Sequence, residues 1–592
     1  MTEKIVKGGE FLVKELNKKD IFIPEEFSVE QKQIADTARQ LVENEISPNI
    51  EAIEGHDFEL VKKLFSMCGE LGLLATDVPE EFGGLELDKV TSMIVAENIA
   101  PSGSFSVAFT AHTGIGTLPL VYYGTKAQKD QYLEKLVDGK WVAAYCLTEP
   151  NSGSDALSAK ATAVLSEDKK YYILNGTKQF ITNGGFAKLF TVFAKIDKEH
   201  FTAFLVDSDF EGVSLGPEEK KMGIKGSSTC SVILEDAKVP IENLLGEKGR
   251  GHKIAFNILN IGRLKLGASV TGAGKAAIGE SIKYAKDRKQ FGTSICNFGA
   301  IKEKFANMVG DIFASESLVY RLAGDLDVNF DTLDKSSTDY YADYEKVFED
   351  FSVECAISKV FCSEALSRVV DEGVQIYGGY GFIQEYPAEK HYRDERINRL
   401  FEGTNEINRL VITGGILKKS LKGELPLQAE AMKAFEGLMS PSLDEVDPSV
   451  PFEKEKYLIH NLKQILLILA GAAAQKFMDK LQHEQEILIS AADVIILIYA
   501  IESAVSRAEK AYEAAGDKKK QLLLAVVEVF TFNALESLSK AAKQAAFYIE
   551  EGDNLLMILS GIRRYTKYAP VSLLNSKRLL ADSIIESEAY LF

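Results

Sequence analysis

The chain has 592 residues, with 68 Lys+Arg against 87 Asp+Glu, so its formal net charge is −19. That length holds several buried cores, and a composition 46% hydrophobic and 26% charged excludes the disordered and collagen-like classes. The acidic balance tells against nucleic acid as a main partner, because phosphates need a basic footprint, while leaving room for a local basic pocket.

The first twenty residues contain no uninterrupted apolar stretch, so no secretory signal is expected. The most apolar run, Ile465–Ala474, is too short to cross a bilayer. Six dispersed cysteines (Cys68, Cys146, Cys230, Cys296, Cys355 and Cys362) form no CxxC pair and read as reduced thiols. A cytoplasmic protein with no transmembrane segment is the expectation.

In chain order, residues 1–142 read as helical. Apolar residues recur at helical spacing after Ser28, a candidate N-cap, and only 14 prolines interrupt the whole chain. Residues 143–250 change character. The runs Tyr171–Leu174, Phe190–Ala194, Phe201–Val206 and Ser231–Leu234 read as strands, divided by turn signals at Asn175-Gly176 and Asn183-Gly184-Gly185. Helical periodicity returns over 251–425. The Pro-rich acidic stretch Ser440–Pro451 reads as a linker. The remainder of 426–592, poor in glycine and rich in Ala, Leu, Lys and Glu, reads as a further helical bundle. The fold class is therefore mostly α with a middle β domain.

Some motif matches fail on context. Gly272-Ala-Gly274-Lys-Ala-Ala277 fits a relaxed dinucleotide fingerprint, but helix flanks it on both sides where a strand is needed, so close helix packing is the better reading. No P-loop, HExxH pair or GxSxG elbow occurs, and no metal site is expected.

Four segments carry chemistry. In Tyr145–Asp155 a polar loop offers backbone N–H groups with the Thr148 and Ser154 hydroxyls. In Gly176–Gly184 an aromatic (Phe180) and a hydroxyl (Thr182) stand two residues apart on one strand face. Gln375-Ile-Tyr-Gly-Gly-Tyr-Gly-Phe382 permits close backbone approach. In Phe401-Glu-Gly-Thr-Asn405, Thr404 or Asn405 caps a helix, and Glu402 just before it suits a general base if substrate expels water. Each segment alone also reads as an ordinary turn, cap or surface charge.

In order and spacing these segments resemble the acyl-CoA dehydrogenase family. Cys146–Ser158 resembles its first signature, and Gln375–Phe382 with Glu385, Lys390 and Asp394 its second. Glu219-Lys-Lys-Met-Gly-Ile-Lys225, Tyr284–Gly292 and Phe401–Asn405 stand in family order. The resemblance implies an N-terminal helical domain, a β domain and a four-helix domain over about residues 28–420. It implies non-covalent FAD, with Tyr145, Leu147, Thr148, Ser154, Phe180, Ile181, Thr182, Thr404 and Glu406 around it. Arg288, Gln375 and Gly379 would reach the FAD of a neighbouring subunit, which makes an oligomer necessary. Ser154, Asn260, Arg263, Phe401 and Gly403 would serve the substrate.

The implied reaction is α,β-dehydrogenation of an acyl-CoA to a trans-2-enoyl-CoA in fatty-acid β-oxidation. Glu402 would take the α-proton while a hydride leaves Cβ for flavin N5. Some members carry the base one position before the arginine that matches Arg263; here that position is Gly262. Phe298-Gly299, where many members have Phe-Gln, and the added C-terminal helices resemble the very-long-chain branch, which is homodimeric. Small residues at Gly103, Ser104, Ser106 and Ala108 agree with room for a long acyl tail. An electron-transfer flavoprotein is the expected acceptor. Two alternatives stand beside this: an acyl-CoA oxidase using O2, and a non-catalytic assembly protein on the same fold. Ile465–Ala474 reads as a core helix, with weak membrane association as its alternative.

Overall fold

The computed structural model describes residues 6–439, 446–447 and 449–592. The proposed linker Ser440–Pro451 therefore lies largely outside the described residues.

The middle domain is built on one sheet of eight strands: β1 (Ala143–Cys146), β2 (Thr162–Leu165), β3 (Tyr171–Thr182), β4 (Leu189–Ile196), β5 (His200–Asp207), β6 (Val213–Leu215), β7 (Thr229–Pro240) and β8 (Leu244–Leu245). Their order is β6-β7-β3-β2-β4-β5-β8, with β1 parallel to β4. The four expected strands are present but longer. Asn175-Gly176 does not turn the chain. It forms a bulge inside β3, where Gly176 adopts φ 148° and the Asn175 side chain pairs with Asp236 across the strands. A glycine within a strand marks either a turn or a bulge, and pairing with β7 decides for the bulge here. Leu174, Ile181, Phe190, Val192, Phe204 and Val232 fill the core of this domain.

The helix Val29–Leu41 starts where expected. Ser28 Oγ accepts from Gln31 N at 3.0 Å, and Gln31 Oε1 accepts from Ser28 N in return. Gly251–Asp287 is one continuous helix, and its glycines are packing positions. A Cβ on Gly272 would lie 2.0 Å from the Glu97 carbonyl oxygen, and one on Gly274 would lie 2.3 Å from Ile312. With Gly299–Phe330, Ser352–Tyr377 and Asn405–Leu421 it forms the central bundle.

The extension adds helices Leu427–Met439, Glu453–Phe477, Gln485–Ala514, Asp517–Ile549, Gly552–Tyr565 and Leu573–Ser587. Gln485–Ala514, Asp517–Ile549 and Leu573–Ser587 pack on Gly299–Phe330, Gln485–Ala514 also on Asn405–Leu421, and the extension shares one continuous core with these helices. Three helical stretches, Glu453–His483, Gln485–Ala514 and Asp517–Ile549, are long and apolar enough to cross a membrane. This corrects the expectation drawn from Ile465–Ala474, because isolated polar residues break the runs without making the helices polar. Their most apolar windows are 61%, 78% and 72% buried within the fold, so that apolarity serves the core. Ile465, Leu466, Leu467, Ile468 and Leu469 are all buried, as a core helix requires.

Charged groups also tie the extension down. The fully buried Arg507 reaches Glu316 at 2.6 Å and Glu25 at 3.0 Å. Glu502 holds Arg321 at 3.0 Å and Lys463 at 2.6 Å.

Candidate active site

Glu402 sits in a tight turn between two helical segments. Its φ is 58° and that of Gly403 is 81°. For a glutamate this is an uncommon and costly conformation, kept only where neighbours over-determine it. They do. Arg263 Nε and Asn408 Nδ2 each donate to the Glu402 carbonyl at 3.2 Å. Asn408 Nδ2 also donates to the Gly403 carbonyl at 2.7 Å, and Lys359 Nζ does so at 2.8 Å. Thr404 caps the next helix, its Oγ1 accepting from Ile407 N at 3.3 Å.

With its backbone fixed in this way, the Glu402 side chain enters a cavity of about 350 Å³. Its Oε2 is buried and has no hydrogen-bond partner. Burial pushes the Glu402 carboxyl up to about 7, against the opposing pull of Arg263 and Lys359. Burial likewise lowers Lys359 to about 7. A carboxylate poised near neutrality with an uncommitted oxygen is what a general base requires.

The cavity is an elongated tunnel. Gly262, Leu266, Val270, Ala273 and Ala276 line it at helical spacing, with Glu402 against Gly262 at one end and Glu280 and His391 together at the other, and Thr182 also on its wall. Gly262 to Glu280 covers about 27 Å of helix at 1.5 Å per residue. Of the small residues flagged in the sequence, Gly103 and Ser106 line the tunnel. Ser104 instead packs inward, accepting from Gly226 N at 3.1 Å, and Ala108 is core.

The expected site residues divide into groups. Asn260 and Arg263 do not line the tunnel. They are buried and bonded to one another at 2.9 Å, and Arg263 braces the Glu402 turn. Tyr145 and Leu147 are also buried, with the Tyr145 hydroxyl donating to the Ala255 carbonyl at 3.2 Å. Ile181 points into the sheet core, so only its main chain faces outward. Phe180 is 59% exposed, at φ 58°. Thr148 is half-buried and Ser154 exposed, on a loop anchored by Glu149, which takes the buried Lys178 at 2.6 Å. Glu406 is exposed at the start of its helix, where its own backbone N–H lowers its carboxyl.

Arg288 and Gly379 occupy a separate pocket of about 500 Å³ that shares no wall residue with the tunnel. Gln375 lies exposed nearby on the helix Ser352–Tyr377. Gly378 and Gly379 leave open space where a Cβ would project, and the exposed Arg288 lies over the Tyr380 ring at 5.4 Å.

Sequence reasoning missed Leu266, Val270, Ala273, Ala276 and Glu395 on the tunnel wall. Helical spacing from Gly262 was the available signal for the first four.

Comparison with known proteins decides the class. Family models described as "Acyl-CoA dehydrogenase, N-terminal domain" and "middle domain" match residues 28–140 and 144–237. Two described as "Acyl-CoA dehydrogenase, C-terminal domain" match 249–417 and 461–564. The chain belongs to the acyl-CoA dehydrogenase family. This dehydrogenase is 48% identical over 586 residues to a probable acyl-CoA dehydrogenase of Bacillus subtilis, covering 99% of this chain and 98% of that one. It is 39% identical over 477 residues to the mitochondrial very long-chain specific acyl-CoA dehydrogenase of Rattus norvegicus, covering 74% and 69% of the two chains. A crystal structure of acyl-CoA dehydrogenase complexed with FAD from Bacillus anthracis matches with a TM-score of 0.96 at 49% identity. That match covers 99% of this chain and 100% of that one. FAD is the cofactor of this dehydrogenase, and its own residues fit the group: an exposed aromatic at Phe180, a hydroxyl at Thr182 on the wall of the cavity that holds Glu402, and a glycine cradle next to Arg288.

Proposed function

We propose that this dehydrogenase oxidises long-chain acyl-CoA to trans-2-enoyl-CoA in β-oxidation, with Glu402 as the base. The observation that carries the reading is the unpartnered, buried Glu402 Oε2 at the head of a cavity lined along about 27 Å of one helix. One acyl chain spans half of a bilayer's hydrocarbon core, about 15 Å, so the tunnel admits a long tail whole.

The residues divide the work. Phe401 and Gly262 confine the α-carbon end beside Glu402, which removes the α-proton. Arg263 and Lys359 steady the turn and favour the ionised carboxylate. Thr148, Ser154, Phe180 and Thr182 would hold the flavin end of FAD, with Thr404 and Glu406 alongside. FAD, when bound, accepts the hydride that leaves Cβ.

Arg288, Gln375 and Gly379 would complete the FAD site of a second subunit. Phe291 and Phe382, 95% and 85% exposed in the segments that form the Arg288 pocket, support a homodimer that covers them. An electron-transfer flavoprotein is the proposed electron acceptor. Six buried, unpaired cysteines support a reducing, cytoplasmic setting.

Anaerobic titration with hexadecanoyl-CoA tests the reading. The oxidised-flavin absorbance should bleach, and Glu402→Gln should keep FAD yet lose at least a hundredfold in reduction rate. A Glu402→Gln variant that bleaches at the wild-type rate would refute the assignment of the base. Rapid reoxidation by O2 during turnover would favour the oxidase alternative.

A further inference from the structure

The acyl tunnel is not hydrocarbon throughout. Besides Glu402, two of its wall residues carry buried polar atoms with no hydrogen-bond partner: Ser269 Oγ on the helix Gly251–Asp287, and Glu395 Oε2 at the end of the helix Pro387–Glu395. Glu395 is only 3% exposed. Arg399 donates to its other oxygen at 3.0 Å, the Ser367 hydroxyl beside the carboxylate draws its carboxyl down, and the neighbouring Arg396 Nη1 and Arg399 Nε are likewise buried without a partner. Asn398 follows on the same wall.

These atoms lie well beyond the reacting end. Ser269 is about 10 Å of helix past Gly262. Leu366, the neighbour of Ser367, has its Cδ1 3.8 Å from where a Cβ on Gly274 would sit. Gly274 is about 18 Å of helix past Gly262. An ordinary acyl chain spans about 15 Å, so its terminus falls at this level. An unsubstituted tail would strand a carboxylate oxygen against methylene groups, which is unfavourable. A tail bearing a hydroxyl would satisfy it. A cationic tail fits poorly, because Arg399 already pairs with this carboxylate and Lys390 and His391 line the same cavity. An anionic tail would meet Glu395, Asp394 and Glu280.

We propose that the distal tunnel is a subsite for a hydroxyl on the acyl tail, with Glu395 Oε2 as its hydrogen-bond partner, so that the enzyme prefers long-chain acyl-CoA hydroxylated near the terminus. This rests on the tunnel being the acyl site.

The test compares 16-hydroxyhexadecanoyl-CoA and 12-hydroxyoctadecanoyl-CoA with their unsubstituted parents in anaerobic flavin reduction by the full-length FAD-bound protein. At least one hydroxylated substrate should half-saturate at a concentration about tenfold lower than its parent, with a similar limiting rate. Glu395→Leu should abolish that preference, while Glu395→Gln, which keeps an acceptor, should retain it. Should the leucine variant fail to fold, Ser269→Ala and the glutamine variant still report on the subsite. Equal half-saturation for both pairs in the wild type would overturn the proposal and assign the orphan oxygens to water. Failure of every acyl-CoA to bleach the flavin would instead overturn the dehydrogenase reading itself.

Discussion

Gly262 and Glu402 face one another so closely that a Cβ on Gly262 would lie 2.7 Å from Glu402 Oε2. The two positions at which a base could stand therefore share one volume, and this chain fills it from the Glu402 side. Gly262→Ala should displace the carboxylate, lowering the rate of flavin reduction by about 10- to 100-fold. FAD content should be unchanged, and stopped-flow bleaching with hexadecanoyl-CoA reads both.

The raised Glu402 carboxyl makes flavin reduction pH-dependent. The base must be ionised, so the rate should climb as pH rises through about 7 and level off above it. A rate independent of pH between 6 and 8 would contradict this.

The same shift has a stability consequence. The folded state holds the Glu402 proton up to about 7, whereas the unfolded chain loses it near the ordinary 4.5. Stability therefore falls as pH rises from about 4.5 to 7 and stays lowered above that. Glu402→Gln removes the penalty, which is of order 1–3 kcal/mol. The variant should melt above the wild type at pH 8, with the gap closing toward pH 5; calorimetry across that range checks it.

Lys359 donates to the Gly403 carbonyl and to Asn405 Oδ1, and its charge lowers the Glu402 carboxyl. Lys359→Met should cost roughly 1–3 kcal/mol through the Asn405 Oδ1 left unpaired, since Asn408 still holds the Gly403 carbonyl. It should also move the ascending limb of the pH–rate profile to higher pH. Denaturant melts and that profile measure the two effects separately.

Arg507 joins the extension to Glu316 and Glu25. Truncating it leaves Glu25 without its partner and the buried Glu316 with only Lys275 and Tyr590, so Arg507→Ala should destabilise by about 1–3 kcal/mol. The extension should loosen first, seen as faster proteolysis beyond residue 426 in a limited digest.

Much of this arrangement was legible in the sequence because it depends on short-range signals. Ser28 with Gln31, Thr404 before its helix, and the glycine-bearing motifs all act within a few residues. What required three dimensions was direction. Nothing local told that Arg263 would turn to the Glu402 carbonyl instead of the tunnel, or that Ile181 would enter the sheet core while Phe180 stayed exposed. Asn175-Gly176 has the composition of a turn, and only the pairing partner β7 makes it a bulge. Glu395 was invisible among 87 acidic residues because its significance lies in which cavity it meets.

Glu316 accepts from the Tyr590 hydroxyl at 2.7 Å as well as from Arg507, and Phe313 packs edge-on against Phe592. Glu316 lies near the middle of the chain, yet its last partner is translated more than 270 residues later. While the ribosome is still at work, the central bundle holds a carboxylate whose neutralising shell is unfinished. The shell around Glu316, begun by the upstream Lys275, thus closes from the far end of the chain, and its last hydrogen bond must wait until residue 590 has been made.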